Sequence, residues 1–299
     1  MKQIAVVSGK GGTGKTTLSG SLSFLFENHV MADCDVDAPN LHLLMEPKLL
    51  ETHEYFGGKK AEIDDRCTAC GICMNTCRFS AIIPGTPYKV DPYACEGCNA
   101  CVLTCPEGAI TLKESKSGDY FLSKAAELSL SHALLTPGEE TSGGLIAEVR
   151  KLALKVAEQE KRDYVIIDGA PGIGCAASSS ITGVNYVIIV AEPTISGMHD
   201  LQRIVETTRH FMRKFGIVIN KFDLNTVKAD EIVNWCNKEK IEILGKIPFD
   251  PEVRNSAIRA EPVVKSGDSP AAKAIKKIYY KLLKIIGGVN HEVSDTCDE

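Results

Sequence analysis

Residues 9–17 read Gly-Lys-Gly-Gly-Thr-Gly-Lys-Thr-Thr, and no other stretch limits the possible folds as sharply. Ile4, Ala5, Val6, Val7 and Ser8 before it form a short apolar run of buried-strand type. After it, Leu18, Leu22, Leu25 and Phe26 fall at helical spacing. Strand, glycine loop and helix together make a phosphate cradle: glycines let backbone N–H groups turn inward, and the new helix adds its positive end. The glycines satisfy two patterns. Gly9, Gly11 and Gly14 spell G-x-G-x-x-G, with Asp33 or Asp35 where the ribose-binding acid of a dinucleotide site would fall. Gly9 to Thr16 also spell G-x-x-x-x-G-K-T. A dinucleotide loop has no use for Lys15 and Thr16, whereas a magnesium triphosphate needs Lys15 at its β- and γ-phosphates and the Thr16 hydroxyl on Mg²⁺. The P-loop reading is preferred, and Gly9, Gly11, Gly12, Thr13, Gly14, Lys15, Thr16 and Thr17 form the expected nucleotide-binding set.

The second constraint is a repeat. Cys67, Cys70, Cys73 and Cys77 recur 28 positions later as Cys95, Cys98, Cys101 and Cys105, and Ala81-Ile82 recurs as Ala109-Ile110. Eight of the twelve cysteines are therefore confined to one segment. Each half is C-x₂-C-x₂-C-x₃-C, the bacterial ferredoxin run, whose fourth cysteine serves the other cluster. This spacing assigns Cys67, Cys70, Cys73 and Cys105 to one [4Fe–4S] cluster and Cys95, Cys98, Cys101 and Cys77 to its twin. A zinc ribbon would use two C-x₂-C pairs and leave the remaining cysteines idle. Pro106 follows the last cysteine as in the ferredoxin pattern, although Arg78 replaces the first such proline.

With 299 residues, the chain has room for one large α/β domain and a smaller unit. The net charge of −5 gives no reason to expect nucleic-acid binding. The first strand begins at Ile4, so no signal or transit peptide is expected, and no apolar run has the length of a membrane span. The expected location is the cytoplasm, where clustered cysteines indicate metal rather than disulfides. The expected organisation is a P-loop ATPase domain over 1–60 and 116–288, a ferredoxin-like insert over 61–115 and a flexible tail over 289–299. Residues 51–66 read as a polar, glycine-containing entry linker.

Outside the insert, Val30 to Asp35 reads as a second buried strand ending in carboxylates, which can polarise a water or hold Mg²⁺ through its water shell. Residues 119–135 read as a strand with a bulge or turn, and 142–160 as an amphipathic helix. Tyr164 to Asp168 is a strand ending in a Walker B acid, followed by the Gly169–Gly174 loop, placed to contact Mg²⁺ and sense the γ-phosphate. Further strands are expected over 186–191, 216–220 and 241–244. Asn220 is placed to meet a purine's edge or to cap, and 248–251 to close over the base. The last helix, 271–286, carries Lys273, Lys276, Lys277, Lys281 and Lys284 beside an apolar stripe. Packing on the sheet accounts for that pattern better than a membrane surface does. Cys236 reads as a small core residue and Cys297 as incidental.

Lys10 to Thr17, Asp33-x-Asp35 and Asp168-Gly-Ala-Pro-Gly resemble the deviant Walker A and partner motifs of the MinD/ParA/nitrogenase iron protein superfamily, the CobQ/CobB/MinD/ParA class. The likeness covers the chain outside the cysteine-rich insert. It implies a mostly parallel, doubly wound P-loop sheet and a Mg²⁺-dependent ATPase of weak intrinsic activity, binding ATP and ADP as an ATP-dependent homodimer. Lys10 would reach the partner's phosphates, Asp35 would orient the attacking water, Asp168 would be the Walker B acid, Thr16 would hold Mg²⁺, and Asn220 would contact adenine. Cys175 has the spacing of a cysteine that bridges the dimer through a shared cluster in the nitrogenase iron protein. No cysteine accompanies it near residues 138–144, so a buried structural role is expected instead. Three functions compete. They are nucleotide-gated electron transfer or metallocofactor maturation with a redox or Fe–S acceptor protein, an Mrp-type Fe–S scaffold or carrier, and a MinD/ParA-like spatial regulator.

Overall fold

The computed structural model describes residues 1–45, 47–139 and 143–287. β1 (Lys2–Ser8) is buried from Ile4 onward and turns through the glycine loop into α1 (Lys15–Leu25). β2 (His29–Asp33) and α2 (Leu41–Met45) follow. The expected linker over 51–66 is instead mostly strand, β3 (Lys48–Ile63). Its glycines and charges mask the pattern because almost the whole strand is exposed, so no apolar face is demanded of it. Next come α3 (Ile72–Thr76), β4 (Ile82–Ile83), β5 (Lys89–Val90) and α4 (Ala100–Thr104), all short. β6 (Ile110–Ala125) then returns antiparallel to β3, from Ile63 opposite Ile110 to Lys48 opposite Lys124. The boundaries expected at 60/61 and 115/116 fall inside these two strands, so one continuous ladder joins the cysteine-bearing segment to the main sheet.

Over 119–135 the chain takes a turn, with Ala126 at φ 51°, between β6 and β7 (Leu128–Leu135). α5 (Gly143–Gln159) fills the helix expected from 142, Ser142 itself lying outside the described residues. There follow β8 (Tyr164–Pro171), α6 (Cys175–Ile181), β9 (Tyr186–Ala191), α7 (Ile195–His210) and β10 (Lys214–Asn220). The chain ends with α8 (Thr226–Lys238), β11 (Ile243–Ile247), α9 (Pro251–Ile258) and α10 (Pro270–Ile286). The tail over 289–299, with Cys297, lies outside the described residues.

The nine-stranded sheet has the order β11-β10-β9-β1-β8-β2-β7-β6-β3. Its pairings are parallel from β11 to β7 and antiparallel from β7 to β3. Strand alternation sends Ala5 and Val7 to one face and Ile4 and Val6 to the other. The first face is covered by α5, α6, α7 and α8 through residues such as Ile146, Ile181, Ile204 and Ile232. α1 and α10 cover the second, through Leu18, Leu22, Ile275, Ile278 and Leu282. The apolar stripe of α10 is therefore spent on the sheet, and its lysines are left outside. Cys236 is fully buried on α8, as expected of a core residue. Among the described residues no helix is long and apolar enough to cross a membrane. The cysteine-bearing segment has a core of its own, made of Ala61, Cys73, Ala81, Ile82, Cys95 and Ile110.

Candidate functional site

The sheet's strand order reverses at β1, which sits between β8 and β9, and ligand crevices form beyond the strand ends at such a point. Three acids gather there. β2 pairs in parallel with β8 so that Asp33 lies opposite Asp168, and Asp35 follows two residues later. Lys15, the first residue of α1, points back into them. Its Nζ lies 3.0 Å from Asp168 Oδ1 and 3.4 Å from Asp35 Oδ2. The Thr16 hydroxyl donates to Asp168 Oδ2 at 2.8 Å. Asp33 accepts from the N–H groups of Asp35 (3.1 Å) and Leu41 (3.2 Å).

These neighbours set the ionisation of the group. Burial would depress the Lys15 ammonium, but Asp168 and Asp35 outweigh it and hold its pKa above the usual lysine value. Burial, aided by the Asp168 charge, pushes Asp33 up to about 8. Burial also raises Asp35, against the pull of Lys15. With Asp33 pushed up so that it keeps its proton near neutral pH, the Asp35 and Asp168 carboxylates still outnumber the Lys15 ammonium, an excess of negative charge that a divalent cation would offset. Mg²⁺ is usually held by one or two carboxylates together with hydroxyl, water and phosphate oxygens, which Thr16 and Asp168 fit.

The glycine loop is open where a phosphate would lie. A Cβ added at Gly11 or Gly12 would meet nothing within 4 Å. Gly14 is different: its φ is +90°, and a Cβ there would drive into the Asn220 amide. Asn220 is nine-tenths buried and braces the loop, its Nδ2 donating to the Thr13 carbonyl at 2.7 Å and its Oδ1 accepting from Lys221 N at 3.0 Å. Thr13 Oγ1 is buried with no hydrogen-bond partner among the described residues. Beside the loop, a cavity of about 430 Å³ is lined by Gly14, Thr17, Asn220, Pro248, Phe249 and Arg254. The 248–251 turn therefore does border the space next to the phosphate cradle. Its Asp250 is also a structural cap, accepting from Glu252 N at 2.9 Å and Ala271 N at 3.1 Å.

Lys10 points away from the acids. Its Nζ lies 3.2 Å from Thr194 Oγ1, 3.3 Å from Ser196 Oγ and 3.5 Å from Glu192 Oε2. Glu192 also takes Lys221 Nζ at 2.6 Å, so one carboxylate bridges two lysines beside the loop. Neither Glu192 nor Arg254 was singled out from the sequence. The available signal for Glu192 was its place directly after β9, at the same sheet edge as Asp168.

The eight cysteines form two groups. One small cavity is lined by Cys67, Cys70, Cys73 and Cys105, the other by Cys77, Cys95, Cys98 and Cys101. All eight are free thiols, with Cys70 and Cys98 exposed. Backbone N–H groups point at two of the sulfurs, Ala61 at Cys95 Sγ and Ala109 at Cys105 Sγ, both at 3.4 Å. Among the described residues no three His, Cys, Asp or Glu side chains converge on a single-ion site. Cys175 departs from expectation: it is exposed at the start of α6, not buried. It opens a helix that follows a glycine loop, so its side chain lies outside the packed layer.

Known proteins bear on this geometry. The family model described as the CobQ/CobB/MinD/ParA nucleotide binding domain matches residues 4–263. An uncharacterized protein of Methanocaldococcus jannaschii is 35% identical over 95% of this chain and 97% of its own length. The iron-sulfur cluster carrier protein of Pyrococcus abyssi is 23% identical over 94% of this chain and 85% of its own. Among solved structures, the septum site-determining protein MinD of Pyrococcus horikoshii with Mg-ADP aligns at a TM-score of 0.56 and 20% identity, covering 96% and 97% of the two chains.

Proposed function

The chain belongs to the CobQ/CobB/MinD/ParA nucleotide-binding family, and on that premise we propose that it is a magnesium-dependent ATPase carrying two [4Fe–4S] clusters. Its nucleotide state would govern electron transfer or metallocofactor maturation. The observation that carries this reading is the crossed grouping of the thiols. Each cavity takes three cysteines from one run and the fourth from the other, which a pair of cubanes requires and a pair of zinc ions does not. A cubane is ligated at its corners, one thiolate to each iron, so convergence on a single ion is not asked of the site. Cys67, Cys70, Cys73 and Cys105 would hold one cluster and Cys77, Cys95, Cys98 and Cys101 the other. Bound clusters would supply one-electron chemistry.

On the nucleotide side, Lys15 and the loop amides would bind the β- and γ-phosphates. Thr16 and Asp168 would hold Mg²⁺, and Asp35 would orient the attacking water. Lys10 would leave Glu192 to reach the phosphates of a second copy, making the homodimer dependent on ATP. A physical route between the two sites supports coupling. Lys60 on β3 pairs with Glu139 at 3.1 Å, and Gly138 lies against Tyr93, two residues before Cys95. α5 begins at Gly143, where an added Cβ would lie 2.6 Å from the Ser179 hydroxyl and 3.3 Å from the Cys175 carbonyl of α6. α6 in turn follows the Asp168 strand and its glycine loop.

The test is iron, sulfide and EPR analysis of anaerobically purified protein, with ADP and with a non-hydrolysable ATP analogue. About eight iron atoms and eight sulfides per chain are expected, with a cluster potential that differs between the two nucleotides. Zinc in place of iron, or a potential indifferent to nucleotide, would overturn the proposal. The likeness to the Pyrococcus carrier, together with the exposed Cys70 and Cys98, favours a second reading as a cluster carrier. It predicts loss of cluster to an apo-acceptor protein, and retention of both clusters there would exclude it.

A further inference from the structure

The chain leaves β10 through Asn220-Lys221-Phe222-Asp223, and its polar side chains are tied to the phosphate loop and to Phe249. Asn220 Nδ2 holds the Thr13 carbonyl, and Lys221 Nζ lies 3.5 Å from the Gly12 carbonyl oxygen. Lys221, at φ 54°, turns the chain into the single 3₁₀ turn Phe222–Leu224. There Asp223 Oδ1 accepts from Phe249 N at 2.7 Å. Lys221 and Phe249 both line the cavity of about 430 Å³ beside the loop, which is of small-molecule size. Asp223 is thus fixed between the strand end that grips the phosphate loop and a residue that borders the base space. Its reach from the phosphates is set from both sides. Lys221 Nζ is held by Glu192 at 2.6 Å, so its apolar stem, not its charge, is what it offers a base.

Asp223 is an exposed carboxylate, an acceptor with about four lone-pair positions, of which the Phe249 N–H uses one. Purines differ in what they present to such a group. Guanine carries two donors side by side, N1–H and the N2 amino group. Adenine carries one, the N6 amino group, beside an N1 that is itself an acceptor. A carboxylate can therefore take guanine in a bidentate, charge-assisted pair, whereas adenine N1 would face it lone pair to lone pair. Arg254, on the same cavity, supplies donors, which suit guanine O6 and N7. We infer that this site takes guanine nucleotides as well as adenine nucleotides, with Asp223 the residue that reads the guanine N1–H and N2 amino group. This rests on the P-loop as a magnesium nucleotide site and adds a second base to it. Asn220 keeps its place as a brace on the loop.

Diphosphates avoid turnover, so the full chain, purified anaerobically, is titrated calorimetrically with MgGDP, MgADP and MgXDP, the xanthine nucleotide. MgGDP is expected to bind within about tenfold of MgADP, the difference of one hydrogen bond. Asp223→Asn is the deciding variant. Its amide oxygen can still accept from Phe249 N, but its Nδ2 donors would oppose the guanine amino group and match the xanthine O2 carbonyl. The affinity of MgGDP relative to MgADP should fall about thirtyfold, the scale of a hydrogen bond to a charged group, and that of MgXDP relative to MgADP should rise by a similar factor. Gain of a new base cannot come from damage to the fold. Binding of MgADP without MgGDP, or relative affinities unmoved by the substitution, would overturn the inference and leave the ATPase reading standing. Failure of both nucleotides to bind would overturn that reading, and the guanine assignment with it.

Discussion

Around Lys15 the chain supplies partners for its own buried charges, whereas around the eight cysteines it supplies two groups of free thiols on a small core. Lys15 and Thr16, at the start of α1, form ion pairs and hydrogen bonds with Asp35 and Asp168, and Asp33, at the end of the buried strand β2, accepts from backbone N–H groups beside them. The cysteine segment has two helices of five residues, two strands of two residues and a six-residue core that includes Cys73 and Cys95. Helices so short do not stand alone, and so small a core gives little burial to offset chain entropy. The nucleotide site can therefore assemble before its ligand arrives. On the proposal that the eight thiols hold clusters, the cysteine unit would draw much of its stability from them.

If the thiols hold iron as proposed, the largest test of that contrast is its removal. Anaerobic chelation, or Cys73→Ser, is expected to raise the rate of proteolysis within residues 64–109 at least about tenfold, because the opening free energy of the unit collapses. The nucleotide-binding sheet should keep its MgADP affinity and its main calorimetric transition. Limited proteolysis with mass mapping, run beside calorimetry, reads both. A unit that stays resistant without iron would erase the contrast.

Next in size is Lys10→Ala. Lys10 is partly exposed and, among the described residues, its side chain is held by Glu192, Thr194 and Ser196, apart from the ion pairs around Lys15. Nucleotide affinity should stay within about threefold, while hydrolysis falls by about three orders of magnitude, the scale of a charge supplied in trans. Sedimentation with an ATP analogue should show monomer. A monomeric variant with full activity would show that the nucleotide site is complete within one chain.

The contrast also explains what could be read from the sequence. The strands over 186–191 and 216–220 were legible because both faces are buried, leaving continuous apolar runs such as Val187, Ile188, Ile189 and Val190. The P-loop was legible because its backbone demands glycine, as Gly14 shows. β3 was not, since Gly57, Gly58 and a row of exposed charges look like a linker until β6, far along the chain, returns to pair with it. Cys175 was misjudged because a cysteine's burial depends on which side of a layer its helix starts, a matter of tertiary placement. Asn220 ends β10 at the sheet edge, and its engagement with the Thr13 carbonyl exists only once β10 and the loop are side by side.

A smaller effect is expected from the acid pair at the centre of the nucleotide site. An unfolded aspartate titrates near 3.9, and folded Asp33 near 8, so between those values the folded chain holds a proton that the unfolded chain has lost. Stability of the nucleotide-free protein must then fall as pH rises through that window, and the penalty is complete above it. Asp33→Asn carries no such term. Its melting temperature should match the wild type near pH 4 and exceed it progressively toward pH 8.5, with the gap shrinking when MgATP is added. Parallel melting curves would mean that Asp33 is already ionised and fully compensated.

The smallest expected effect decides how Asn220 contributes. Its Nδ2 bond to the Thr13 carbonyl ties β10 to the phosphate loop, and a net hydrogen bond of this kind contributes about 1 kcal/mol. Asn220→Ala should weaken nucleotide roughly fivefold by loosening the loop. A brace acts on the phosphates whatever base is attached, so ATP, GTP and inorganic triphosphate should lose affinity equally. A residue that reads the purine edge would instead cost affinity for ATP while sparing inorganic triphosphate. Because one amide N–H and the amide oxygen are already tied to Thr13 and Lys221 before any base is present, the equal loss is the expected result. Base recognition would then fall to the cavity's other rim, where Phe249 and Arg254 stand.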